Sequence, residues 1–336
     1  MLLSRAQLLR GVVAGAALPS LAYADGVSGF RSDLDAAAAR PWTAPPAPGA
    51  GPLRFAVIGD NTGVAKPGVF DQAMRQVGWL RPDFILSVGD LIEGYTEDRD
   101  EIARQWAAID ASIAKAGVPF VFTPANHDID NAETLDAWRQ RRGAGYYSFV
   151  YKGALFLILN SEDTPKPMSA KAAADFYDRV RQMQLDPVKA ERDVEARLAA
   201  GQPSAYGQEV VDLGDRQLGF VRETLARHPH PRWTFVVAHR PAWKMQSPSF
   251  ARVQALLAGR PHTVFAGHTH YYTHELFDGH DYINMAGTGG VRHRDGAGTM
   301  DHVLMVSLTP TGPIYANARL TGLMDVTGET GQVRAH

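Results

Sequence analysis

The stretch FAVIGDNTG, residues 55–63, joins an apolar run to polar residues between two glycines. Its first part, Phe55–Ile58, is apolar in the manner of a buried strand, and it stops abruptly at Gly59. The polar residues 60–62 follow at once, and aspartate or asparagine beside glycine favours a turn. A turn explains this one stretch. It does not explain why the same pattern recurs at the end of other predicted strands.

The composition is that of an ordinary soluble globular protein, with 336 residues, 45% of them hydrophobic and 21% charged, and a formal net charge of −2. Basic residues do not cluster, so the electrostatic footprint of a nucleic-acid-binding protein is missing. The chain has no cysteine, which excludes thiolate metal sites, cysteine nucleophiles and disulfides. Any metal would be held by His, Asp, Glu or Asn. The sequence carries no signal of oligomeric state.

The first residues have the pattern of an export signal. Arg5 and Arg10 accompany an apolar run at 11–21, and residues 22–24, Ala-Tyr-Ala, form an A-x-A cleavage site. We therefore expect a signal peptide over 1–24 and a periplasmic or secreted protein. The apolar run is shorter than the roughly 20 residues of a membrane span, so no transmembrane segment is expected in the mature protein. SRAQLLR resembles a twin-arginine signal with alanine at the second arginine, which leaves the Sec and Tat routes open.

An α/β sandwich is the predicted fold. Residues 25–52 are rich in Ala and Pro and predict a linker, so one folded domain is expected over 53–320, with a tail at 321–336. Within that domain, apolar runs of strand length alternate with longer stretches of helical spacing. The predicted strands are 53–58, 83–88, 118–122, 154–159, 233–237 and 263–265, and the predicted helices are 69–80, 97–116, 213–228 and 249–257.

Two regions depart from this alternation. A segment at about 165–210 is rich in Ala and charged residues, with helical spacing between Ser169 and Gly201. We interpret it as a helical insertion that either packs on the surface or caps the site. Beyond it, HDYINMAGTGG at 280–290 and DHVLMVSL at 301–308 predict further strands.

Side chains that can bind metals follow all but one of the six predicted strands. In open α/β sheets the loops that leave the carboxyl ends of the strands converge, and ligand sites lie there. We therefore expect these side chains to meet in one cluster. They are Asp60, Asp90, Asn126, His127, Asp128, His239, His268 and His270.

The residue types fit a pair of divalent cations. Two metals about 3.5–4 Å apart can clamp the attacking and leaving oxygens of a phosphoryl displacement. A carboxylate can bridge them, and neutral imidazoles and an amide oxygen complete each site without excess negative charge that would repel a phosphate ester. Nitrogen and oxygen ligands without sulfur allow Mn, Zn, Fe, Co or Ni.

In their order and spacing, GD at 59–60, GD at 89–90, NHD at 126–128, His239 and GHTH at 267–270 resemble the calcineurin-like metallophosphoesterase superfamily. The resemblance runs from Leu53 to about Leu308. It implies a four-layer sandwich of two packed mixed β-sheets flanked by helices. It also implies metal-dependent hydrolysis of a small phosphorylated substrate, a phosphate monoester or diester, by a bridging hydroxide.

The resemblance assigns a role to each member of the cluster. Asp90 bridges two metals; Asp60 and His270 complete the first site, and Asn126, His239 and His268 complete the second. By the same resemblance, His127 would protonate the leaving oxygen or stabilise the transition state, and Asp128 would orient the imidazole of His127.

Two positions differ from the superfamily pattern near the first metal. Thr62 stands where the superfamily usually has a histidine ligand, so the first metal should be bound more weakly, completed by water, or assisted by another residue. Glu93 stands where purple acid phosphatases have an iron-binding tyrosine, and Tyr95 lies two residues further on, which argues against an iron–tyrosinate centre. Ala125 also replaces the usual glycine before Asn126, without removing a ligand.

Three further residues are candidates for contact with substrate: Asn61, Arg240 and Arg292. Arginine offers a planar fork of donors to phosphate, although surface ion pairs are its more common use. The remaining histidines, including His280 and His293, are expected to be surface or packing residues. Motifs of serine hydrolases, P-loop NTPases and zincins are absent. A single-metal protein that binds a phosphorylated or polyanionic ligand without turnover is the alternative function.

Overall fold

The computed structural model describes residues 29–35, 38–162, 169–201, 209–327 and 329–330, so the predicted signal peptide lies outside the described residues. The strands are β1 (Arg31–Ser32), β2 (Leu53–Ile58), β3 (Phe84–Ser87), β4 (Phe120–Val121), β5 (Tyr147–Tyr151), β6 (Ala154–Ile158), β7 (Trp233–Val237), β8 (His262–Ala266), β9 (Thr273–Phe277), β10 (His280–Asn284), β11 (His302–Thr309) and β12 (Gly312–Arg319). The α-helices are α1 (Val69–Leu80), α2 (Arg99–Ala114), α3 (Ala132–Arg142), α4 (Ala170–Leu185), α5 (Pro187–Ala199), α6 (Gly214–Arg227) and α7 (Pro248–Leu257).

Within the described ranges the strands form two mixed sheets. The five-stranded sheet has the order β12-β11-β2-β3-β4. Strands β2, β3 and β4 pair in parallel, and β11 pairs antiparallel with both of its neighbours, β2 and β12. The seven-stranded sheet has the order β1-β5-β6-β7-β8-β10-β9, with parallel pairing from β6 to β10. Parallel strands therefore form the centre of the seven-stranded sheet and the half of the five-stranded sheet from β2 to β4, and their carboxyl ends carry the predicted cluster.

The core between the sheets is built by alternate residues of the strands. Phe55 and Val57 of β2 face the other sheet, whereas Ala56 and Ile58 face the helices, as the period of two in a strand requires. Phe55 stacks on Phe84 of its own sheet at 5.3 Å between ring centroids. Its ring also meets Phe235 of the seven-stranded sheet at 4.9 Å between centroids, so phenylalanine rings join the two sheets.

Helices cover the outer face of each sheet. Trp106 of α2 and Trp138 of α3 are buried with α1 against the five-stranded sheet. Val221 of α6 and Val253 of α7 are buried against the seven-stranded sheet. This arrangement confirms the predicted four layers, two mixed sheets flanked by helices.

The segment before β2 is more than the spacer expected over 25–52. β1 pairs with β5, and the side chain of Trp42 is buried in the core between the sheets. Phe30 packs on Trp42 with ring centroids 5.1 Å apart. Two aromatic side chains in an Ala/Pro-rich stretch provide the apolar surface that keeps it on the domain. The expected tail also touches the domain, because Gln76 donates to the carbonyl of Thr330 at 2.7 Å.

Helix boundaries follow the sequence closely except at α3. α1 and β2 have the predicted bounds, and α2 and α6 are one to two residues shorter at each end. Helix α3 was not expected, because its sequence AETLDAWRQRR has few apolar residues. A capping box starts this helix: the side chain of Asn131 accepts from the backbone of Thr134, whose hydroxyl accepts from the Asn131 backbone. Among the described residues, no helix combines the length and apolar composition that a bilayer crossing requires.

Candidate active site

The strands deliver the predicted ligands to one buried cluster. Two groups of ligand atoms form there: Asp90, His239 and His268 in one, and Asp60, Asp90 and His270 in the other. Within each group the ligand atoms all lie within 4.8 Å of one another, and Asp90 belongs to both. The six predicted metal ligands include these five residues and Asn126, whose Oδ1 lies 3.0 Å from Nε2 of His239.

Strained backbone positions hold these side chains. Asp90, His268 and His270 have positive φ angles of 56°, 70° and 48°, which L-residues adopt at a cost and which cluster at functional sites. Backbone amides then fix the carboxylates: His268 N–H donates to Asp60 Oδ1 at 2.8 Å, and His127 N–H donates to Asp90 Oδ1 at 3.0 Å. The space is tight, because a Cβ at Gly267 would lie 2.6 Å from Oδ2 of Asp60.

The donor set fits divalent cations. The Nδ1–H of His239 donates to the carbonyl of Val88 at 2.9 Å, so in the neutral tautomer Nε2 carries a lone pair. That lone pair faces two oxygens, Oδ1 of Asn126 at 3.0 Å and Oδ2 of Asp90 at 3.2 Å. Three electron-rich atoms at these distances repel one another unless a proton or a cation lies between them. Oδ2 of Asp60 is also buried and has no hydrogen-bond partner among the described residues.

Negative charge concentrates on Asp90. Burial disfavours its charged form, but the imidazoles of His239 and His127 outweigh burial and lower its pKa. Burial would lower the pKa of His239, and the Asp90 carboxylate raises that pKa to about 9. Burial and the charge of Asp90 raise the pKa of Asp128 to about 7. Bound cations would supply the positive charge that these imidazoles supply in the protein alone.

His127 is held with one ring nitrogen toward the cluster. Its Nδ1–H donates to the carbonyl of Glu93 at 2.7 Å, and its Nε2 lies 3.9 Å from Oδ2 of Asp90. The ring of Tyr95 packs edge-on at 4.8 Å between centroids. Burial would lower the pKa of His127, but Asp90 and Glu93 raise it, which favours the proton-donating form.

The carboxylate of Asp128 is hydrogen-bonded to backbone amides, and the orienting role expected for it toward His127 stays a prediction. Nδ1 of His127 is bonded to the carbonyl of Glu93. Asp128 accepts from three backbone amides: Asp90 N–H and Leu91 N–H, each at 3.0 Å, and Ile92 N–H at 3.3 Å. The chain turns sharply after β3, and the carboxylate satisfies the amides of that turn. Asp128 therefore positions the backbone of Asp90.

The three candidate substrate contacts differ in placement. Asn61 lies at the cluster, where its Nδ2 donates to the carbonyl of Leu91 at 3.2 Å. Arg240 also lies there: its Nη1 is 3.0 Å from Nε2 of His268, and its Nε donates to Glu162 at 2.7 Å. The guanidinium of Arg292 pairs with acids that are not among the predicted ligands.

The guanidinium of Arg292 pairs with Glu195 of α5 and, at 3.3 Å, with Asp295. Both terminal nitrogens of Arg292 thus face carboxylates, while its Nε has no hydrogen-bond partner among the described residues, and the expected substrate contact stays a prediction. α5 also packs through Val194 on Val64, in the loop that follows Asp60. The helical insertion thus lies against the loops of the cluster.

Thr62 and Glu93, the two departures near the first metal, are both buried. The hydroxyl of Thr62 has no hydrogen-bond partner within the described ranges. Glu93 binds the loop after Asp60: its Oε1 accepts from the amides of Val64 at 3.0 Å and Ala65 at 2.8 Å, and its Oε2 accepts from Gly63 at 3.2 Å. The hydroxyl of Tyr95 accepts from Nδ2 of Asn126 at 3.1 Å, which turns the amide oxygen toward His239.

Sequence reasoning missed the acids around Arg240 and His268. Oε1 of Glu209 lies 3.2 Å from Nε2 of His268 and 3.3 Å from Nη1 of Arg240. A carboxylate that accepts from the ring nitrogen that does not bind the metal fixes the orientation of a ligand imidazole. Glu162 follows the predicted strand 154–159 by three residues, as the ligands follow their strands, and this position is the signal that could have indicated it. Glu209 follows no predicted strand, so no pattern in the sequence indicated it.

Comparisons with known proteins agree with this geometry. A model of the calcineurin-like phosphoesterase family matches residues 53–272. The Homo sapiens serine/threonine-protein phosphatase CPPED1 is 35% identical over 119 residues, which are 31% of this chain and 36% of that protein. Its Mus musculus counterpart is 31% identical over 121 residues, 32% of this chain and 37% of that protein. The chain spans about a third of the length of the curated relatives it matches.

Solved structures share the fold at low sequence identity. A dimetal phosphatase from Danio rerio aligns with a TM-score of 0.53 and 13% identity over 80% of this chain and 99% of that one. The purple acid phosphatase PPD1 from yellow lupin (Lupinus luteus) aligns with a TM-score of 0.52 and 13% identity over 81% of this chain and 52% of that one. The family model covers more than half of the chain, and the resemblance seen in the sequence is confirmed. The chain belongs to the calcineurin-like phosphoesterase family.

Proposed function

We propose that this protein is a metal-dependent phosphoesterase that hydrolyses a small phosphate monoester or diester at a dinuclear centre. The observation that carries the proposal is the sharing of Asp90 by two groups of ligand atoms. When bound, two divalent cations would neutralise charge on the phosphoryl oxygens and activate a water molecule for attack on phosphorus. The phosphatase name of the mammalian relatives supports the same reaction class.

The protein's own side chains hold and orient this centre. Asp60 and His270 would bind one cation, and His239, His268 and Asn126 the other, with Asp90 between them. The Nδ1–H of His270 donates to the carbonyl of Val291, which leaves Nε2 as its ligand atom. The hydrogen bond of His239 to Val88 has the same effect on that ring. The imidazoles of His239 and His270 are thus set in the tautomer that a cation requires.

His127 would be the proton donor to the leaving oxygen. Its Nδ1–H is used by Glu93, so Nε2 is the nitrogen that faces the cluster. Arg240, held by Glu162 and adjacent to His268, would contact a phosphoryl oxygen. Asn61 would do so from the other side of the cluster.

The test is hydrolysis by the apoprotein reloaded in turn with Mn, Zn, Fe, Co or Ni. Rates on p-nitrophenyl phosphate and on bis-p-nitrophenyl phosphate are compared, and their ratio distinguishes a monoesterase from a diesterase. His127→Ala should lower the rate by a factor on the order of 10²–10⁴ with metal content unchanged. Exposed His230 provides the matched control, His230→Ala, which should keep the wild-type rate.

Two outcomes would contradict the proposal. If the protein binds a single ion and hydrolyses neither compound with any metal, the single-metal binding protein becomes the better description. If His127→Ala hydrolyses both compounds as fast as the wild type, His127 has no part in the reaction.

We also propose export to the periplasm or the medium. The support is the sequence of residues 1–24, with Arg5, Arg10, the apolar run and the Ala-Tyr-Ala site. Amino-terminal sequencing of protein recovered from cell fractions should find Asp25 first, outside the cytoplasm. Protein that begins at Met1 and stays in the cytoplasm would contradict export.

A further inference from the structure

The two groups of ligand atoms around Asp90 are unequal. One contains two imidazoles, His239 and His268, and the oxygen of Asn126 is adjacent to it. The other contains one imidazole, His270, with two carboxylates. Divalent transition metals bind nitrogen ligands well, so the second group has fewer favourable donors. Thr62, in the loop beside it, presents a buried hydroxyl and no imidazole.

A buried histidine from a distant part of the chain lies beside this poorer group. His293 packs on His270 with 4.3 Å between ring centroids. The corresponding separation of His239 and His268, in the richer group, is 5.1 Å. Each group therefore has a pair of adjacent imidazoles, although only one pair was expected from the sequence.

His293 lies against the loop that carries Thr62. A Cβ built on Gly63 would lie 3.4 Å from Cε1 of His270 and 4.0 Å from Cε1 of His293. Gly63 follows Thr62 directly, so both rings lie against the loop after Asp60. Gly63 also puts no side chain between that loop and the two rings.

We propose that His293 is a further ligand of the metal held by Asp60 and His270, and that it replaces the imidazole that Thr62 does not provide. The inference rests on the proposed dinuclear centre. The nitrogens of His293 lie outside both groups of ligand atoms, so ligation includes a rotation of its side chain toward Asp60.

The experiment measures metal binding rather than hydrolysis. The apoproteins of the wild type and of His293→Phe are titrated with Co²⁺ in equilibrium dialysis, and visible absorption follows the coordination of each ion. Phenylalanine keeps the packing on His270 and removes the nitrogens. The matched control is His280→Phe, because His280 stacks on His262 at 3.9 Å, away from the groups around Asp90. His293→Ala is the second variant if the phenylalanine variant does not fold.

In His293→Phe, one Co²⁺ ion should bind with wild-type affinity. The second should bind about 10- to 100-fold more weakly and have an altered absorption spectrum. His280→Phe should bind two ions as the wild type does. Two ions bound with wild-type affinities and spectra by His293→Phe would overturn the inference while leaving the dinuclear centre intact. A wild type that binds fewer than two ions would instead contradict the proposed function.

Discussion

Glu93→Gln tests whether a carboxylate at this position holds the loop after Asp60. Glu93 is 8% exposed and accepts from three consecutive backbone amides, at 3.2, 3.0 and 2.8 Å. The loop includes Val64 at φ 75°, which a β-branched residue adopts only when its surroundings compensate. Glutamine has the same shape, but one of its two terminal atoms is a donor.

The free energy of unfolding should fall by about 3 kcal/mol. If the amide oxygen stays on Val64 and Ala65, the new NH₂ group faces the N–H of Gly63, and leaving that donor unsatisfied costs about 1 kcal/mol at a partly buried site. The two remaining bonds lose their charge, which weakens each by about 1 kcal/mol. Because the loop follows Asp60 and contacts His270, metal bound by this pair should weaken as well.

Urea denaturation of the metal-free protein at pH 7.5 gives the free energy, and a Co²⁺ titration gives the affinity. Glu97→Gln is the matched control, because Glu97 lies four residues on and its side chain is exposed; its effect should stay within about 0.5 kcal/mol. A loss below about 0.5 kcal/mol for Glu93→Gln would refute the reasoning, since it would mean that the loop keeps its conformation without the carboxylate.

Three further changes have defined outcomes. Asp90→Asn removes the shared carboxylate, so metal analysis should find no ion or one weakly bound ion, and two tightly bound ions would contradict the bridging role. Gly267→Ala adds a Cβ 2.6 Å from Asp60 Oδ2, and it should lower the free energy of unfolding by about 1–3 kcal/mol and weaken metal binding; an unchanged urea midpoint would count against it. His302 is buried, accepts from the Ala286 amide through Nε2 at 3.0 Å, and has its pKa lowered to about 4 by burial. Because this folded-state pKa lies below the unfolded value, stability is full above pH 6.5 and falls toward pH 4, by about 2 kcal/mol at pH 5. His302→Gln, which does not titrate, should lose that part of the pH dependence, and an unchanged dependence would show that another group causes it.

The ligand set was predictable because it depends on local pattern. Buried strands such as β2 and β7 are recognisable from short apolar runs, and their predicted bounds agree with the structure. The residues just after such strands must lie at the carboxyl edge of a sheet. That reasoning, with the family resemblance, brought Asp60, Asp90 and the three histidines to one place. The structure gathers them within 4.8 Å in two groups that share Asp90.

The partners of those ligands were not predictable. The family resemblance implied that Asp128 orients the imidazole of His127, but it did not indicate that the carboxylate accepts from the amides of the turn after β3. In the sequence, Glu93 stands out only because it occupies the position of the iron-binding tyrosine of purple acid phosphatases. In the structure its carboxylate accepts from amides 28 to 30 residues away. Trp42 lies in a stretch with linker composition, and it is buried between the sheets.

Local sequence was enough to predict most of the strands and helices, the chemical types of the ligands and their order along the chain, because each of these depends on residues within one turn or one strand. The packing of the two sheets establishes which acid meets which amide or imidazole, and which histidine lies beside His270. Those contacts join segments separated by whole helices and strands, and their distances follow from how the two sheets pack rather than from any spacing along the chain.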